Sequence, residues 1–348
     1  MQALTSPVLS HLDPYLLDAV DDLRGRLARV FHAPADATVL AVSGTGTSAM
    51  EAAVANIAGP GTRALVIVTG YFGDRLAQML ARYGADVERL DVEWGRSVDP
   101  AQVAGALTRS RVDIVGIVHA ETSTGVLNPV DDVARIVAEH DAVLIVDAVT
   151  SLGAMPVDVN AWGRVVCYSC AQKGLGAPSG LSPVAFSARA LERRVTCRSF
   201  YFDLGLLEDY WIRRKYHHTI SSSLVLALRE AVTAVEEEGL ESRYTRHRTN
   251  HEALAGALDE LGLSLLPPPG ERLWTLNAVR VPDGVDEAAV RKALLQQFNI
   301  EIGAGLGPLA GSIWRVGLMG SGSTAANVLF FVAALSQVLE RAARRPAS

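Results

Sequence analysis

The sequence predicts an α/β fold: a mainly parallel sheet covered by helices on both faces, followed by a smaller α+β C-terminal domain. Short, nearly continuous apolar runs recur through the first half of the 348-residue chain. Stretches with helical periodicity lie between most of these runs. Strands that are buried on both faces show such runs, because crossover helices cover each side of a parallel sheet. Strand and helix patterns alternate more loosely near the C-terminus, which is typical of a small α+β unit.

The helices are predicted from apolar residues spaced three and four apart. In the first of them, over residues 14–31, Leu16, Val20, Leu23 and Leu27 follow this spacing. Similar patterns predict helices over residues 50–57, 75–83, 100–107, 129–139, 223–238 and 240–261. Strands are predicted over residues 38–42, 64–68, 86–90, 114–118, 142–146 and 314–320, and from Val165 onward. The basic stretch 189–198 is also expected to be helical.

Composition and charge narrow the class of protein. The chain is 49% hydrophobic and 20% charged, as expected of a soluble globular protein with one large and one smaller domain. A formal net charge of -6 gives no general attraction to nucleic acid or anionic membranes, so neither is an expected partner. The apolar run over residues 328–335 is too short to span a bilayer, and the start shows no signal-peptide pattern. We therefore expect a cytoplasmic protein.

The cysteines do not predict a disulfide framework or a metal site. The chain has three of them, which are expected to be reduced. Cys167 and Cys170 form a C-x-x-C pair, but a zinc site needs two more ligands and only Cys197 remains as a thiol. Along a strand the two positions would face opposite sides. No metal is therefore predicted.

Small and polar residues follow the ends of several predicted strands, where open α/β sheets bind their ligands. The segment Ser43-Gly-Thr-Gly-Thr-Ser-Ala49 joins a strand to a helix. Its glycines, hydroxyls and free backbone N–H groups at a positive helix end predict an anion site. Residues 119–125 follow another strand, Asp147 follows a third and Lys173 a fourth.

Asp147 and Lys173 are the candidate catalytic residues. Asp147 follows four apolar residues, and a buried carboxylate is costly without a partner, so it either caps the next turn or holds a proton on a heterocyclic nitrogen. Lys173 is one of three lysines among 32 basic residues and precedes a glycine-rich loop. It is either a solvated loop residue or a nucleophile, because lysine can lose its proton and attack a carbonyl, whereas arginine cannot.

An anion cradle, an aspartate and a lysine at neighbouring strand ends are the parts that hold pyridoxal 5'-phosphate. The cradle fixes the phosphate, the aspartate keeps the pyridine nitrogen protonated and the lysine forms an imine. A nicotinamide dehydrogenase is the main alternative, since Gly44-Thr-Gly46-Thr-Ser-Ala49 fits G-x-G-x-x-A after a strand. That motif also requires an acidic residue at the end of the next strand, which here ends in Thr69-Gly70. Pyridoxal phosphate is therefore the predicted cofactor.

Six motifs, in order along nearly the whole chain, make the sequence resemble the class V aminotransferases of fold type I, closest to the alanine/serine–glyoxylate aminotransferase group. The motifs are Ser43-Gly-Thr-Gly-Thr-Ser-Ala-Met-Glu-Ala-Ala53, Gly70-Tyr-Phe-Gly-Asp-Arg75, His119-Ala-Glu-Thr-Ser-Thr-Gly-Val126, Val146-Asp-Ala-Val-Thr-Ser-Leu-Gly153, Ala171-Gln-Lys173 and Trp314-Arg-Val-Gly-Leu318. The separation of Asp147 from Lys173 also matches. The resemblance implies a fold type I PLP-dependent transferase.

The resemblance also implies a role for each matched residue. Lys173 would be the Schiff-base lysine and Asp147 the partner of the pyridinium nitrogen. Phe72 would stack on the cofactor ring, and Thr122 would lie near the ring hydroxyl. The residues implied around the phosphate are Thr45, Gly46, Thr47 and Gln172.

Three further residues are assigned by the same resemblance. Tyr216 and Thr219 match a Tyr-x-x-Thr segment that reaches the phosphate bound in the other subunit, which implies a homodimer. Arg315 would hold the substrate carboxylate through a bidentate pair of hydrogen bonds.

The chain departs from the family pattern at two places. It reads Ser169-Cys-Ala-Gln-Lys173 where the family usually has Ser-Gly-Ser-Gln-Lys, so a hydroxyl near the cofactor is missing. The family also begins with a Gly-Pro-rich segment that covers the substrate entrance, whereas this sequence starts at Met1-Gln-Ala-Leu-Thr-Ser-Pro7, so we expect either a shortened start or a differently built entrance. We expect a shortened N-terminal arm over residues 1–20, a large cofactor-binding domain over 21–238 and a small domain over 239–348.

The predicted function is that of a PLP-dependent aminotransferase that moves an amino group from a small amino acid, of the alanine or serine type, to a 2-oxo acid such as glyoxylate or pyruvate. A lyase or β-elimination/replacement enzyme is the alternative, because the same cofactor serves those reactions and the entrance segment differs. A non-catalytic dimeric scaffold is a third hypothesis, against which the presence of both Asp147 and Lys173 argues.

Overall fold

The computed structural model describes residues 2–5 and 7–343, and the strands of this part form three sheets. The strands are β1 Thr38–Gly44, β2 Arg63–Val68, β3 Asp86–Asp91, β4 Ile114–Val118, β5 Ala120–Glu121, β6 Val126–Leu127, β7 Val143–Asp147, β8 Val165–Tyr168, β9 Gly180–Phe186, β10 Leu276–Arg280, β11 Gly303–Ala304 and β12 Ile313–Gly317.

The predicted mainly parallel sheet is confirmed as seven strands in the order β1-β9-β8-β7-β4-β2-β3. Strands β8, β7, β4, β2 and β3 pair in parallel, whereas β9 runs antiparallel to both of its neighbours, β1 and β8. The loops after β1, β2, β4, β7 and β8 therefore leave the sheet at the same edge. Every predicted catalytic or cofactor-binding residue of the first 175 positions lies at or just beyond that edge.

Helices surround the sheet and build the C-terminal region. They are α1 Pro14–Val30, α2 Gly46–Ile57, α3 Tyr71–Arg82, α4 Pro100–Arg109, α5 Val130–Ala138, α6 Val159–Trp162, α7 Ala188–Leu191, α8 Leu204–Trp211, α9 Ser222–Glu238, α10 Leu240–Glu260, α11 Glu287–Phe298 and α12 Ala325–Ala343. Several begin at an aspartate or serine whose side chain accepts a first-turn N–H, as Asp13 and Ser221 do. Helices α2 and α3 begin at Thr45 and Gly70 without such a side-chain cap.

Most buried apolar side chains of the described residues belong to a larger and a smaller core, and others form two small clusters. The larger runs from Leu16 in α1 to Val235 in α9 and includes the sheet. The smaller runs from Leu254 in α10 to Val338 in α12 and packs against the antiparallel sheet β10-β12-β11. This second core has the α+β character predicted for the C-terminal region. The exact division at residues 20 and 238 stays a prediction.

Two helices begin earlier than periodicity predicts, and one predicted helix is wrong. Helices α2 and α3 start at Gly46 and Tyr71 because the first turn of a helix tolerates small and polar residues that interrupt the apolar pattern. Over residues 189–198 only the short α7 forms. The arginines that follow it pair with distant carboxylates, Arg193 with Asp141 and Arg194 with Asp203, instead of pairing along a helix. Within residues 2–5 and 7–343, no helix has the length and apolar character needed to cross a bilayer.

Candidate active site

A cavity of about 180 Å³ opens at the carboxyl edge of the central sheet. It receives side chains from the loops that follow β1, β2, β4, β7 and β8, which are distant in sequence. Most of the predicted site residues meet there. The lining residues are Thr45, Gly46, Thr47, Met50, Phe72, Arg75, Val118, Thr122, Asp147, Val149, Gln172 and Lys173.

The N-terminus of α2 forms one end of the cavity and supplies the predicted anion cradle. Thr45 is the N-cap residue, and Gly46 and Thr47 open the helix. First-turn N–H groups at a positive helix end favour an anion such as phosphate. A Cβ at Gly46 would lie 2.9 Å from Val149 Cγ2, so only glycine leaves the cavity open at this point.

Arg75 is a cavity residue to which sequence reasoning gave no role. Its Nη1 donates to the Thr47 hydroxyl at 2.8 Å, and its guanidinium carbon lies 5.0 Å from the centre of the Phe72 ring. It therefore adds a positive charge to the cradle and links the cradle to α3. The resemblance included Arg75 in a matched motif, which was the signal that could have identified it.

Asp147 is the last residue of β7 and is 3% exposed. Its Oδ1 accepts the backbone N–H of Val149 at 2.9 Å. Burial raises the pKa of Asp147 to about 7; this hydrogen bond opposes the shift, and repulsion from Glu121 adds to it. The buried Tyr168 hydroxyl adjoins Asp147 but makes no regular hydrogen bond among the described residues. Asp147 thus lacks a strong cationic partner and suits a protonated ring nitrogen.

Lys173 follows β8 and lies in the same cavity, where it is partly exposed. Burial lowers the pKa of its amine, the positive charge of Arg315 acts in the same direction, and Asp147 opposes the shift. A lowered pKa increases the fraction of neutral amine, which is the nucleophilic and basic form. The position and electrostatics of Lys173 fit a lysine that reacts with a carbonyl group.

Phe72 and Val149 form apolar walls of the cavity, and Thr122 contributes a hydroxyl. Thr122 Oγ1 lies 2.5 Å from Thr150 Oγ1, a buried pairing that fixes its direction. Sequence reasoning missed Val149, although it stands two residues after Asp147 within a matched motif. Gln172 lines the cavity and is exposed.

Arg315 lies on β12 of the small sheet, outside the lining of the cavity but within electrostatic reach of Lys173. Its Nε donates to the carbonyl of Ala304 at 2.7 Å, which orients the guanidinium. Burial lowers the pKa of Arg315, and the negative charge of Glu121 partly offsets that effect. This geometry leaves the terminal nitrogens of the fork for a carboxylate.

Tyr216 and Thr219 do not line the cavity of their own chain. Both are exposed, Tyr216 by 61%. The two histidines between them are buried, and His218 Nε2 lies 2.8 Å from the Ser43 hydroxyl at the end of β1. The segment is therefore anchored close to the cradle while Tyr216 and Thr219 face outward.

The cysteine pair shows no metal-binding geometry. Cys167 and Cys170 are buried thiols, and Cys170 Sγ points to the Val149 carbonyl at 3.8 Å. Burial raises the pKa of Cys170 to about 12, which leaves it unreactive at neutral pH. Among the described residues no group of three or more His, Cys, Asp or Glu side chains could hold a metal ion.

The cavity fits pyridoxal 5'-phosphate. The helix end and Arg75 suit a phosphate dianion, and Phe72 and Val149 leave space for a planar ring between apolar walls. The raised pKa of Asp147 is the most telling feature, because a protonated pyridine nitrogen would supply the positive partner that this buried acid lacks.

Comparison with known proteins identifies the family. The model of the family "Aminotransferase class-V" matches residues 2–317. The chain belongs to the class V aminotransferases.

Relatives of this class V aminotransferase include solved structures. The alanine–glyoxylate aminotransferase from Nostoc sp. superposes with a TM-score of 0.94 at 45% identity, over 97% of this chain and 91% of that chain. The (S)-ureidoglycine–glyoxylate transaminase of Bacillus subtilis is 35% identical, over 98% of this chain and 87% of the relative. The alanine–glyoxylate aminotransferase of Drosophila melanogaster is 34% identical, over 98% and 89%.

Membership and these relatives confirm the predicted fold type I architecture, the pyridoxal phosphate cofactor and the aminotransferase activity. The lyase alternative gains no support, since the relatives of substantial identity are aminotransferases.

Proposed function

We propose that this aminotransferase moves the amino group of a small amino acid, of the alanine or serine type, to glyoxylate or pyruvate. The observation that carries the proposal is the meeting of Lys173, Asp147 and the α2 N-terminus in one cavity. The names of the relatives, which act on glyoxylate with alanine or ureidoglycine, support the acceptor.

The residues divide the work by position. When bound, pyridoxal phosphate supplies an electron-accepting ring that stabilises negative charge at the substrate α-carbon. Thr45, Gly46, Thr47 and Gln172 would hold the phosphate, and Arg75, which donates to the Thr47 hydroxyl, would add positive charge there. Asp147 would keep the ring nitrogen protonated. Phe72 and Thr122 would contact the ring.

Lys173 acts as nucleophile and then as general base. Its amine would hold the cofactor, and the same amine would be the base that takes the proton from the substrate α-carbon. A positioned base of this kind contributes about two to four orders of magnitude in rate. Arg315 binds the substrate carboxylate and thereby orients the α-hydrogen toward Lys173.

The proposal includes a homodimer in which Tyr216 and Thr219 complete the phosphate site of the partner subunit. Their exposure outside their own cavity, combined with the anchoring of His218 to Ser43, supports this arrangement. A cytoplasmic location and the division into residues 1–20, 21–238 and 239–348 belong to the same proposal.

Lys173→Ala tests the proposal against a matched control. We expect this variant to lose turnover and the visible absorbance that depends on the lysine, whereas Lys292→Ala, on the exposed face of α11, keeps both. Wild-type enzyme is then mixed with alanine or serine, and the pyridoxamine form is followed by its absorbance before glyoxylate or pyruvate is added. Failure of every small amino donor to produce that form would overturn the substrate assignment.

A further inference from the structure

Glu121 is a fully buried carboxylate at the edge of the cofactor cavity that the proposed mechanism leaves without a task. It is 0% exposed. Its Oε1 accepts from the N–H and hydroxyl of Ser123 at 3.0 and 2.6 Å, and its Oε2 accepts from the N–H groups of Phe72 and Gly73, both at 3.2 Å. Both oxygens are therefore satisfied by donors, as a buried carboxyl group requires. Burial raises the pKa of Glu121, and these hydrogen bonds oppose the shift.

These contacts form the N-terminal cap that α3 lacks in its own sequence. Gly70 stands at the N-cap position and has no side chain to offer. The N–H of Tyr71 donates to the Ser123 hydroxyl at 2.9 Å, and the next two N–H groups donate to Glu121. A carboxylate at this end of a helix also interacts favourably with the helix dipole. The start of α3 is thus held by a loop about fifty positions away.

Gly70 shows how closely the two segments approach. A Cβ at this position would lie 2.4 Å from Ser123 Oγ and 2.5 Å from Glu121 Cγ. Any side chain there would push the loop away from α3, so glycine is needed for the cap to form.

The capped N–H of Phe72 belongs to the residue whose ring forms a wall of the cavity, and Thr122 in the same loop also faces the cavity. Glu121 therefore connects two cofactor-facing positions through one side chain. The carboxylate also adds to the raised pKa of Asp147 and opposes the lowering of the pKa of Arg315, so its charge acts on both residues.

We propose that Glu121 is a positioning residue that fixes the Phe72 wall of the cofactor cavity by capping α3 from the opposite loop. The inference rests on the proposed role of Phe72 in stacking on the cofactor ring. Glu121 is not among the residues that line the cavity and acts through the backbone of Phe72 and Gly73.

A double-mutant cycle tests the proposal by cofactor affinity. Glu121→Gln, Phe72→Ala and the double variant are prepared as full-length chains, freed of cofactor and titrated with pyridoxal phosphate while tryptophan fluorescence is followed. Glutamine keeps the shape but has one acceptor oxygen, so we expect affinity to fall about ten- to a hundredfold. In the Phe72→Ala background the same change should have little further effect, because the wall it positions is already absent. Asp74→Asn, in the first turn of α3 but paired at the surface with Arg89, is the matched control and should bind like wild type.

Two further readouts separate positioning from general damage. The visible circular dichroism of bound cofactor should weaken in Glu121→Gln, because a loosened wall leaves the ring less fixed, while its absorbance maximum stays. Ser123→Ala removes the Tyr71 contact and one Glu121 contact, and should show a smaller effect in the same direction even if Glu121→Gln fails to fold. Unchanged affinity in both variants, or effects of Glu121→Gln and Phe72→Ala that simply add, would overturn the proposal. Cofactor affinity and circular dichroism are measured without any amino-acid substrate. A wrong substrate assignment would therefore leave these results unchanged.

Discussion

Asp147 is a buried carboxyl group that costs folding free energy and is explained by a ligand. The Asp147 carboxyl is 3% exposed and has no strong cationic partner among the described residues, and burial raises its pKa to about 7. The same environment gives the ring nitrogen of the cofactor a partner within an otherwise apolar wall. Ligand binding is therefore expected to stabilise the charged acid that the empty protein disfavours.

This conflict predicts a pH dependence of stability in the cofactor-free protein. An unfolded aspartate titrates near pH 4, whereas folded Asp147 titrates near 7. Between these values the folded chain holds a proton that the unfolded chain has released. The free energy of unfolding should fall as pH rises through this window, by up to about 1.4 kcal/mol per pH unit from this group. Urea unfolding from pH 4 to 8 measures the slope, and Asp147→Asn should remove that component. If the difference in the free energy of unfolding between wild type and Asp147→Asn stays constant with pH, the raised pKa of Asp147 is contradicted.

Arg315 gives a second prediction at this scale. Arg315→Lys keeps the charge but loses the planar fork, so kcat/KM for the amino donor should fall about ten- to a hundredfold. Cofactor affinity should remain unchanged, because Arg315 lies outside the cavity lining. Steady-state kinetics and cofactor titration measure the two quantities. Arg280→Lys, on the exposed end of the adjacent strand β10, is the control and should leave both unchanged.

Among the elements, α10 connects the two cores to the lysine loop. Arg243 is 5% exposed, donates to the carbonyls of Gly153 and Gly174 at 2.6 and 2.7 Å, and pairs with Glu238 at 2.5 Å. Gly174 directly follows Lys173. The position of the lysine backbone is thus set partly by a helix that belongs to the C-terminal part of the chain.

Removing the Arg243 side chain should lower the stability of the fold and disturb the loop that carries Lys173. We expect Arg243→Met to lower the free energy of unfolding by about 3 kcal/mol, since it leaves the buried carbonyls of Gly153 and Gly174 without this donor. Glu238 keeps its contacts with Arg246. It should also reduce the lysine-dependent visible absorbance per bound cofactor, because the loop that carries Lys173 loses its anchor. Urea unfolding and absorbance of reconstituted protein measure the two effects. Arg248→Met on the same helix removes an exposed pair at 3.9 Å and should cost within about 1 kcal/mol. Equal losses in the two variants would show that burial of Arg243 is unimportant.

Elements with a strong apolar pattern were predictable, and elements defined by local polar contacts were not. The central strands can be predicted from the sequence, because a strand buried on both faces requires a continuous run of apolar residues. The starts of α2 and α3 were not predicted, because Gly46 and Tyr71 lie in first turns that interrupt the apolar pattern. Glu121 and Arg75 act through contacts between segments far apart in sequence, which no local spacing encodes.

For the whole molecule, the sequence suffices to predict which strand ends meet, since parallel strands bring their carboxyl ends to one edge. That rule brings the α2 N-terminus, Asp147 and Lys173 together correctly. It says nothing of residues that face outward, and the role proposed for Tyr216 and Thr219 requires a second subunit. The resemblance to the family carried that prediction, and the exposure of both residues agrees with it.

Mixed dimers test whether Tyr216 and Thr219 act across a subunit interface. One chain carries Lys173→Ala, the other carries Tyr216→Phe and Thr219→Val, and differently tagged copies are purified as heterodimers. If the contacts cross the interface, one of the two sites combines an intact lysine with an intact pair, so about half of wild-type activity should return. If the contacts are made within one chain, neither site is intact. The activity should then be no higher than that of the homodimer that carries Tyr216→Phe and Thr219→Val. The control is a mixture of the two purified variant homodimers, assayed before their subunits have time to exchange. A heterodimer no more active than this control would remove Tyr216 and Thr219 from the partner's phosphate site.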